Sequence, residues 1–196
     1  MLSLKQTAMM EFCLQIGDES QESCELSFSL LSILKKSFTY VLQRFGNRES
    51  EPFIPFLGMS SEEVGKLASF FDLTLDSPQR GNLGAYLGCL EEHKMLVEFF
   101  LRYRNRDGEI SLWVSHLLAT ASLGENHLWQ DMGLQNRAEL GFLLRSLFFP
   151  LFSANKQDMR WKRFFYRKLC EEEGIFVCKA PNCKDCSDRP ICFGPE

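Results

Sequence analysis

The chain has 196 residues, 45% of them hydrophobic and 13% aromatic, enough apolar material for one sizeable core. A formal net charge of -4 and a sequence pI near 5.5 exclude the global basic field that draws proteins to nucleic acid or to anionic membranes, so no nucleic-acid or membrane partner is expected.

Residues 1–17 place Lys5, Gln6 and Glu11 among apolar positions and lack the order of a secretory leader. Apolar stretches elsewhere break well before the roughly 18 residues a membrane-spanning helix requires. The expected location is therefore the cytoplasm.

A polar linker is predicted over 15–25, and a helix over 26–45, LSFSLLSILKKSFTYVLQRF, closed by Gly46 as a left-handed cap. Two prolines make 50–55 extended, and Ser60 with Glu63 forms a capping box that opens a helix toward Phe71. Residues 76–82, with Pro78 and Gly81, read as a loop. Tyr86, Cys89, Leu90, His93, Leu96, Val97, Phe100 and Leu101 then follow the three-and-four spacing of one buried helical face. On that face His93 is expected to be a satisfied buried histidine.

After Asp107-Gly108, the residues Ile110, Val114, Leu117, Leu118 and Ala121 predict an antiparallel neighbour ending at Gly124, with His116 on its solvent side. A further helix opens at Asn136, capped with Glu139, and ends near Pro150. The last spans about 155–172, with Trp161, Phe164, Phe165 and Leu169 inward and Arg160, Lys162, Arg163, Arg167 and Lys168 mostly outward, until Gly174 stops it. With no strand-like alternation and no internal repeat, the fold class is all-α: a helical bundle with an irregular C-terminal cysteine-rich metal-binding tail. Its divisions are an N-terminal segment over 1–58, a helical core over 59–174 and the tail over 175–196, together one structural domain.

The tail reads CKAPNCKDCSDRPICFGPE, so that Cys178, Cys183, Cys186 and Cys192 stand in a C-x4-C-x2-C-x5-C pattern. Turn formers fill its gaps, Pro181-Asn182, Asp185, Ser187-Asp188 and Pro190, and let the backbone aim four sulfurs at one point. Ile175, Phe176, Val177, Ile191 and Phe193 are too few to offset the entropy of ordering such a segment, and a structural metal is the natural supplement. Spacing leaves the metal open: four thiolates satisfy tetrahedral zinc and an iron-sulfur cluster alike, with disulfides or unligated thiols as a lesser alternative. Lys179, Lys184 and Arg189 favour the thiolate form and offset its charge with either metal.

Outside the cluster, Cys170 is a candidate fifth sulfur or a small buried hydrophobe, and His127 a candidate metal ligand or an ordinary loop histidine. Cys13, Cys24 and Cys89 read as packing or incidental residues, and Trp129 and Trp161 as core or core-edge aromatics. The basic run from Arg160 to Lys168 suits an oxyanion or an acidic partner, or is simply a solvated face. No Gly-rich phosphate loop, H-E-x-x-H or nucleophile motif is present, so a non-catalytic protein is expected.

Three blocks carry a family resemblance: HLWQDMGL at 127–134, MRWKRFFYRKLCEEEG at 159–174, and the cysteine tail ending CFGPE. With LEEH at 90–93 and, more loosely, FIPFLGM at 53–59, they resemble the NifQ family of nitrogen-fixation proteins. The resemblance implies a metal-trafficking protein that holds molybdenum in an iron-sulfur environment and donates it for synthesis of the nitrogenase iron-molybdenum cofactor. It shifts the cofactor from zinc toward an iron-sulfur cluster, with molybdenum filling an open corner. The implied partners are molybdate or another molybdenum source and the scaffold proteins of cofactor assembly. Cys178, Cys183, Cys186 and Cys192 match the family's cysteine motif without substitution, and Cys170 and His127 fall in its other blocks.

Overall fold

A computed structural model describes residues 21–46, 52–75, 83–174, 187 and 189–194. Within them the chain runs α1 (Gln21–Phe45), a tight turn at Pro55–Gly58, α2 (Ser61–Phe71), α3 (Leu83–Arg102), α4 (Glu109–Ser122), α5 (Leu128–Asp131), α6 (Arg137–Leu147), α7 (Phe149–Ala154), α8 (Trp161–Glu172) and α9 (Arg189–Phe193). No strand occurs among the described residues, as the sequence pattern predicts.

The best-matched predictions are those with a local cause. The Ser60 hydroxyl accepts from the Glu63 amide at 3.3 Å while the Glu63 carboxylate accepts from the Ser60 amide at 2.9 Å, and α2 opens there. Asn136 caps α6 through the Glu139 amide at 3.0 Å, and Gly174 ends α8 with φ +68°. Helices α3 and α4 form the antiparallel pair expected from their periodicity, with the largest helix-to-helix contact among the described residues.

Other boundaries differ for identifiable reasons. Helix α1 begins at Gln21, so part of the polar stretch expected to be a linker is helical; residues 15–20 and the predicted loop at 76–82 lie outside the described residues. Gly46 does end α1, but without a left-handed conformation: a Cβ there would sit 2.4 Å from the Leu42 carbonyl oxygen. Pro150 opens α7 instead of closing α6, because the first helical turn is where a missing N–H costs nothing. Residues 155–160 form a loop in place of the first turns expected of α8, since the Asn155 side chain bonds both the amide (2.9 Å) and the carbonyl (2.8 Å) of Met159. The tail is not irregular throughout, for Arg189–Phe193 is helical.

Helix α4 sits at the centre. It touches α1, the Pro55–Gly58 turn, α3 and α5, and it is buried on nearly every side, as a helix enclosed by others must be. Its buried hydroxyls return to the helix itself: Ser115 donates to the Ser111 carbonyl at 2.8 Å and Ser122 to that of Leu118 at 2.7 Å. Leu30, Leu34, Phe38, Val41 and Phe45 of α1 enter the same core as Phe99, Phe100, Leu144 and Phe165.

A pair of histidines locks the Pro55–Gly58 turn to this core. His93 is 2% exposed, as expected, and its Nε2 lies 3.1 Å from Thr120 Oγ1. The Thr120 hydroxyl donates its one proton to the His116 carbonyl at 2.8 Å, so His93 must be the Nε2–H tautomer donating to Thr120. His116 does not face solvent: its Nδ1–H donates to the Leu57 carbonyl at 3.0 Å, and the two imidazoles stand 5.8 Å apart. That latch holds Phe56 and Leu57 in the left-handed region, φ 53° and 57°, which bulky residues avoid. Gly58, at φ +70°, allows the turn to approach His93, whose Cε1 would lie 2.6 Å from any added Cβ.

Burial, and secondarily the proximity of His116, pulls the His93 pKa down to about 4; burial also lowers that of His116. Folding therefore favours the neutral imidazoles. Their contribution is complete above the ordinary histidine value of about 6.5 and is lost as pH falls through it, because the unfolded chain then takes up protons that the native chain refuses. For His93 the full effect is about 3 kcal/mol, reached near pH 4. Urea midpoints should hold steady above pH 7 and fall between pH 6.5 and 4.5, and His93→Gln should flatten that fall while lowering the neutral-pH midpoint.

Candidate metal-carrier site

The two ends of the last long helix are fastened differently, and the N-terminal end forms the candidate site. The loop at 155–160 is closed by Arg137, whose guanidinium donates to the Asp158 carboxylate at 2.7 Å and to the Met159 carbonyl at 3.0 Å. This delivers Arg160 to the head of α8. From there its amide donates to the Cys192 carbonyl at 2.8 Å, and its Nε–H to the Gly194 carbonyl at 3.2 Å. Carbonyls at the end of a helical turn lack partners within it, and an arginine placed over them supplies donors of the favourable charge. Arg160 is thus a clasp that seats α9, and with it Cys192, on the body of the protein.

Beside the clasp, Lys162 turns inward, away from the solvent face its helical position predicts. Its ammonium donates to Asp131 at 2.5 Å and to the Gly124 carbonyl at 2.7 Å. Asp131 is fully buried and also accepts from the Asn126 amide and the Asn126 side-chain Nδ2, both at 3.0 Å; the Arg44 guanidinium of α1 stands 3.7 Å away. A Cβ at residue 124 would lie 2.4 Å from the Asp131 carboxylate, which is why glycine occupies that position. One carboxylate thereby fixes the turn at 124–131 against α1 and α8. Nothing in the spacing of HLWQDMGL marks Asp131 as buried; the available signal was a carboxylate set among Leu128, Trp129, Met132 and Leu134.

The fixed turn carries His127 to the edge of a cleft of about 570 Å3, whose other walls include Arg160, Arg163 and Ile191. His127 starts α5, its amide donating to Gln130 Oε1 at 3.1 Å. Among the described lining residues Arg160 and Arg163 stand with one carboxylate, Glu125, while Lys162 is paired with Asp131, so this part of the cleft is positive in a chain of net charge -4.

Of the expected ligands, Cys192 is half-buried on α9, next in sequence to Ile191 at the cleft, and packs partly on the core. Cys170 is half-buried on α8, most of that helix away from Arg160. Cys178, Cys183 and Cys186 lie outside the described residues. Among the described residues no group of three metal-binding side chains converges. Of the four-cysteine motif the described residues include Cys192, held through its carbonyl by the Arg160 amide, and a soft thiol is the donor type that zinc and iron-sulfur centres use.

Residues 38–194 match the family model described as NifQ. Among characterised relatives, the protein NifQ of Azotobacter vinelandii is 42% identical over 106 residues, 54% of each chain. A NifQ homolog of Sinorhizobium fredii is 41% identical over 103 residues, 53% of this chain and 45% of its own, and the protein NifQ of Klebsiella pneumoniae is 44% identical over 81 residues, 41% of this chain and 48% of its own. The chain spans about half the length of the relatives it matches. No solved structure matches it.

Lys162→Met should leave the buried Asp131 carboxylate short of its main partner and cost about 3 kcal/mol of stability in chemical denaturation. The double variant Asp131→Asn with Lys162→Met should recover part of that loss, since no charge is then stranded.

Proposed function

The chain belongs to the NifQ family, and from that membership we propose that it carries molybdenum in an iron-sulfur environment and delivers it to the scaffold proteins that assemble the nitrogenase iron-molybdenum cofactor. One observation carries the reading: the three sequence blocks of the resemblance meet at one place. Lys162 of the second block is bonded to Asp131 of the first, and Arg160 of the second clasps Cys192 of the third.

In this reading Cys178, Cys183, Cys186 and Cys192 hold the cluster through soft sulfur donors, which suit iron and reduced molybdenum better than oxygen ligands do. An iron-sulfur cluster, when bound, supplies a sulfide-lined position for the cargo metal. The protein's own part is positional and electrostatic. Arg160 sets where Cys192 stands, Arg163 at the cleft would offset thiolate charge, and His127, a weaker and replaceable donor at the cleft edge, would complete a cargo site that must later release its metal. Molybdate enters as the cargo source. The role needs no turnover of an organic substrate, in keeping with the absence of a nucleophile or phosphate-loop motif in the sequence.

Metal and sulfide analysis of anaerobically purified protein tests this. Iron and acid-labile sulfide should be present, molybdenum should be taken up from molybdate with a reductant, and Cys192→Ser should lose most of both. Stoichiometric zinc without iron would reject the carrier in favour of a structural zinc module.

A further inference from the structure

A second cleft, of about 530 Å3, opens where the end of α3 and the start of α4 meet the junction of α6 and α7. Among the described residues every charged one lining it is an arginine: Arg104, Arg106 and Arg145. Ile110 and Leu147 line it as buried apolar residues, and Phe149, 52% exposed, stands at it with Pro150.

The walls are held in place from within. The Asn105 amide donates to the Leu147 carbonyl at 2.8 Å, its Nδ2 donates to the Ser146 carbonyl at 2.8 Å, and its Oδ1 accepts from the Phe149 amide at 2.6 Å. One side chain thus splices the arginine loop to the residues that present Phe149. Arg145 rests over the Phe152 ring at 4.8 Å, and Arg104 is paired with Asp107.

Ordinary structural roles account for part of this. Arg145 lies in the last turn of α6, where a cation suits the helix dipole, and Arg104 with Asp107 makes a turn ion pair that cancels one positive charge. Neither role explains a large apolar ring left in water beside three arginines on an acidic protein. Arginine and aromatic side chains in one preordered depression are the composition of a protein-interface hot spot, where little entropy is lost on binding.

We propose that this cleft docks an acidic segment of a partner protein, its carboxylates on Arg106 and Arg145 and one apolar side chain against Phe149. Carboxylates match the planar guanidinium fork, and the apolar contact gives the segment a register. Nucleic acid and anionic membrane are poorer occupants, since three arginines in a recess, one of them paired with Asp107, do not overcome the repulsion of a chain of net charge -4. The inference goes beyond the carrier role and does not rest on it. It bears on the same helix, however: Arg102, just before the arginine loop, holds Glu172 at the C-terminal end of α8 at 2.8 Å, and Tyr103 donates to the same carboxylate. A partner seated here would sit near the point from which the chain leaves α8 toward the cysteine motif.

The test is fluorescence anisotropy of the full chain with a dye-labelled peptide of aspartate and glutamate around a central Phe-Leu pair. At about 0.1 M salt the peptide should bind and be released by added salt, while its Asn/Gln analogue should not bind. Arg106→Gln with Arg145→Gln should weaken binding about 10-fold and Phe149→Ser about 5-fold, in variants whose circular dichroism matches the parent. Lys35→Gln with Lys36→Gln, on the exposed face of α1, should change nothing. No binding by the parent, or equal binding by the Arg106/Arg145 variant, overturns the proposal. Loss by that variant of binding to RNA or to anionic vesicles, with the peptide unbound, would overturn it in favour of those surfaces.

Discussion

A carboxylate with none of its surface in water has to be surrounded by donors, and the rest of this molecule is arranged to meet that condition at Asp131. Lys162 comes from α8, Asn126 from the preceding turn and Arg44 from α1, while the backbone at Gly124 gives up its Cβ to make room. A buried charge stabilises weakly in itself but is costly when left unpaired, so it acts chiefly as a constraint on how neighbouring elements can sit. Here it sets the place of the turn at 124–131, and that turn carries His127.

The same logic of satisfying stranded groups recurs along α8. Arg160 completes the carbonyls of Cys192 and Gly194 at one end, and Arg102 and Tyr103 hold Glu172 at the other. These contacts connect the cysteine-bearing end of the chain to the helical body. The proposed carrier needs such an arrangement: a site firm enough to position soft ligands yet open at one side, with positive charge nearby to stabilise thiolates. The cleft beside His127 and Ile191 supplies the open side.

The histidine pair does comparable work at the other side of α4. Phe56 and Leu57 occupy backbone conformations unfavourable to them, and the hydrogen bond from His116, together with the close approach of Gly58 to His93, over-determines the turn. His116 was legible as a helix residue but not as a latch, because its partner lies 59 residues away in a segment with no regular pattern. Periodicity reports which face of a helix is apolar. It does not report which distant carbonyl needs a donor.

The sequence by itself determined what is local: the three-and-four repeats that make α3 and α4, the Ser60–Glu63 and Asn136 caps, the Gly174 stop and the cysteine spacing of the tail. These depend on side chains within a turn or two of each other, and their free energies are set before any tertiary contact forms. Only the folded chain decided that Lys162 points inward, that residues 155–160 loop, that Arg160 clasps Cys192, and that three arginines meet around Phe149. Apart from the loop at 155–160, whose Asn155–Met159 bonds are local, each of those outcomes follows from a donor or acceptor finding a partner far along the chain. A linear pattern holds no distance between such groups, so burial and long-range pairing had to settle them.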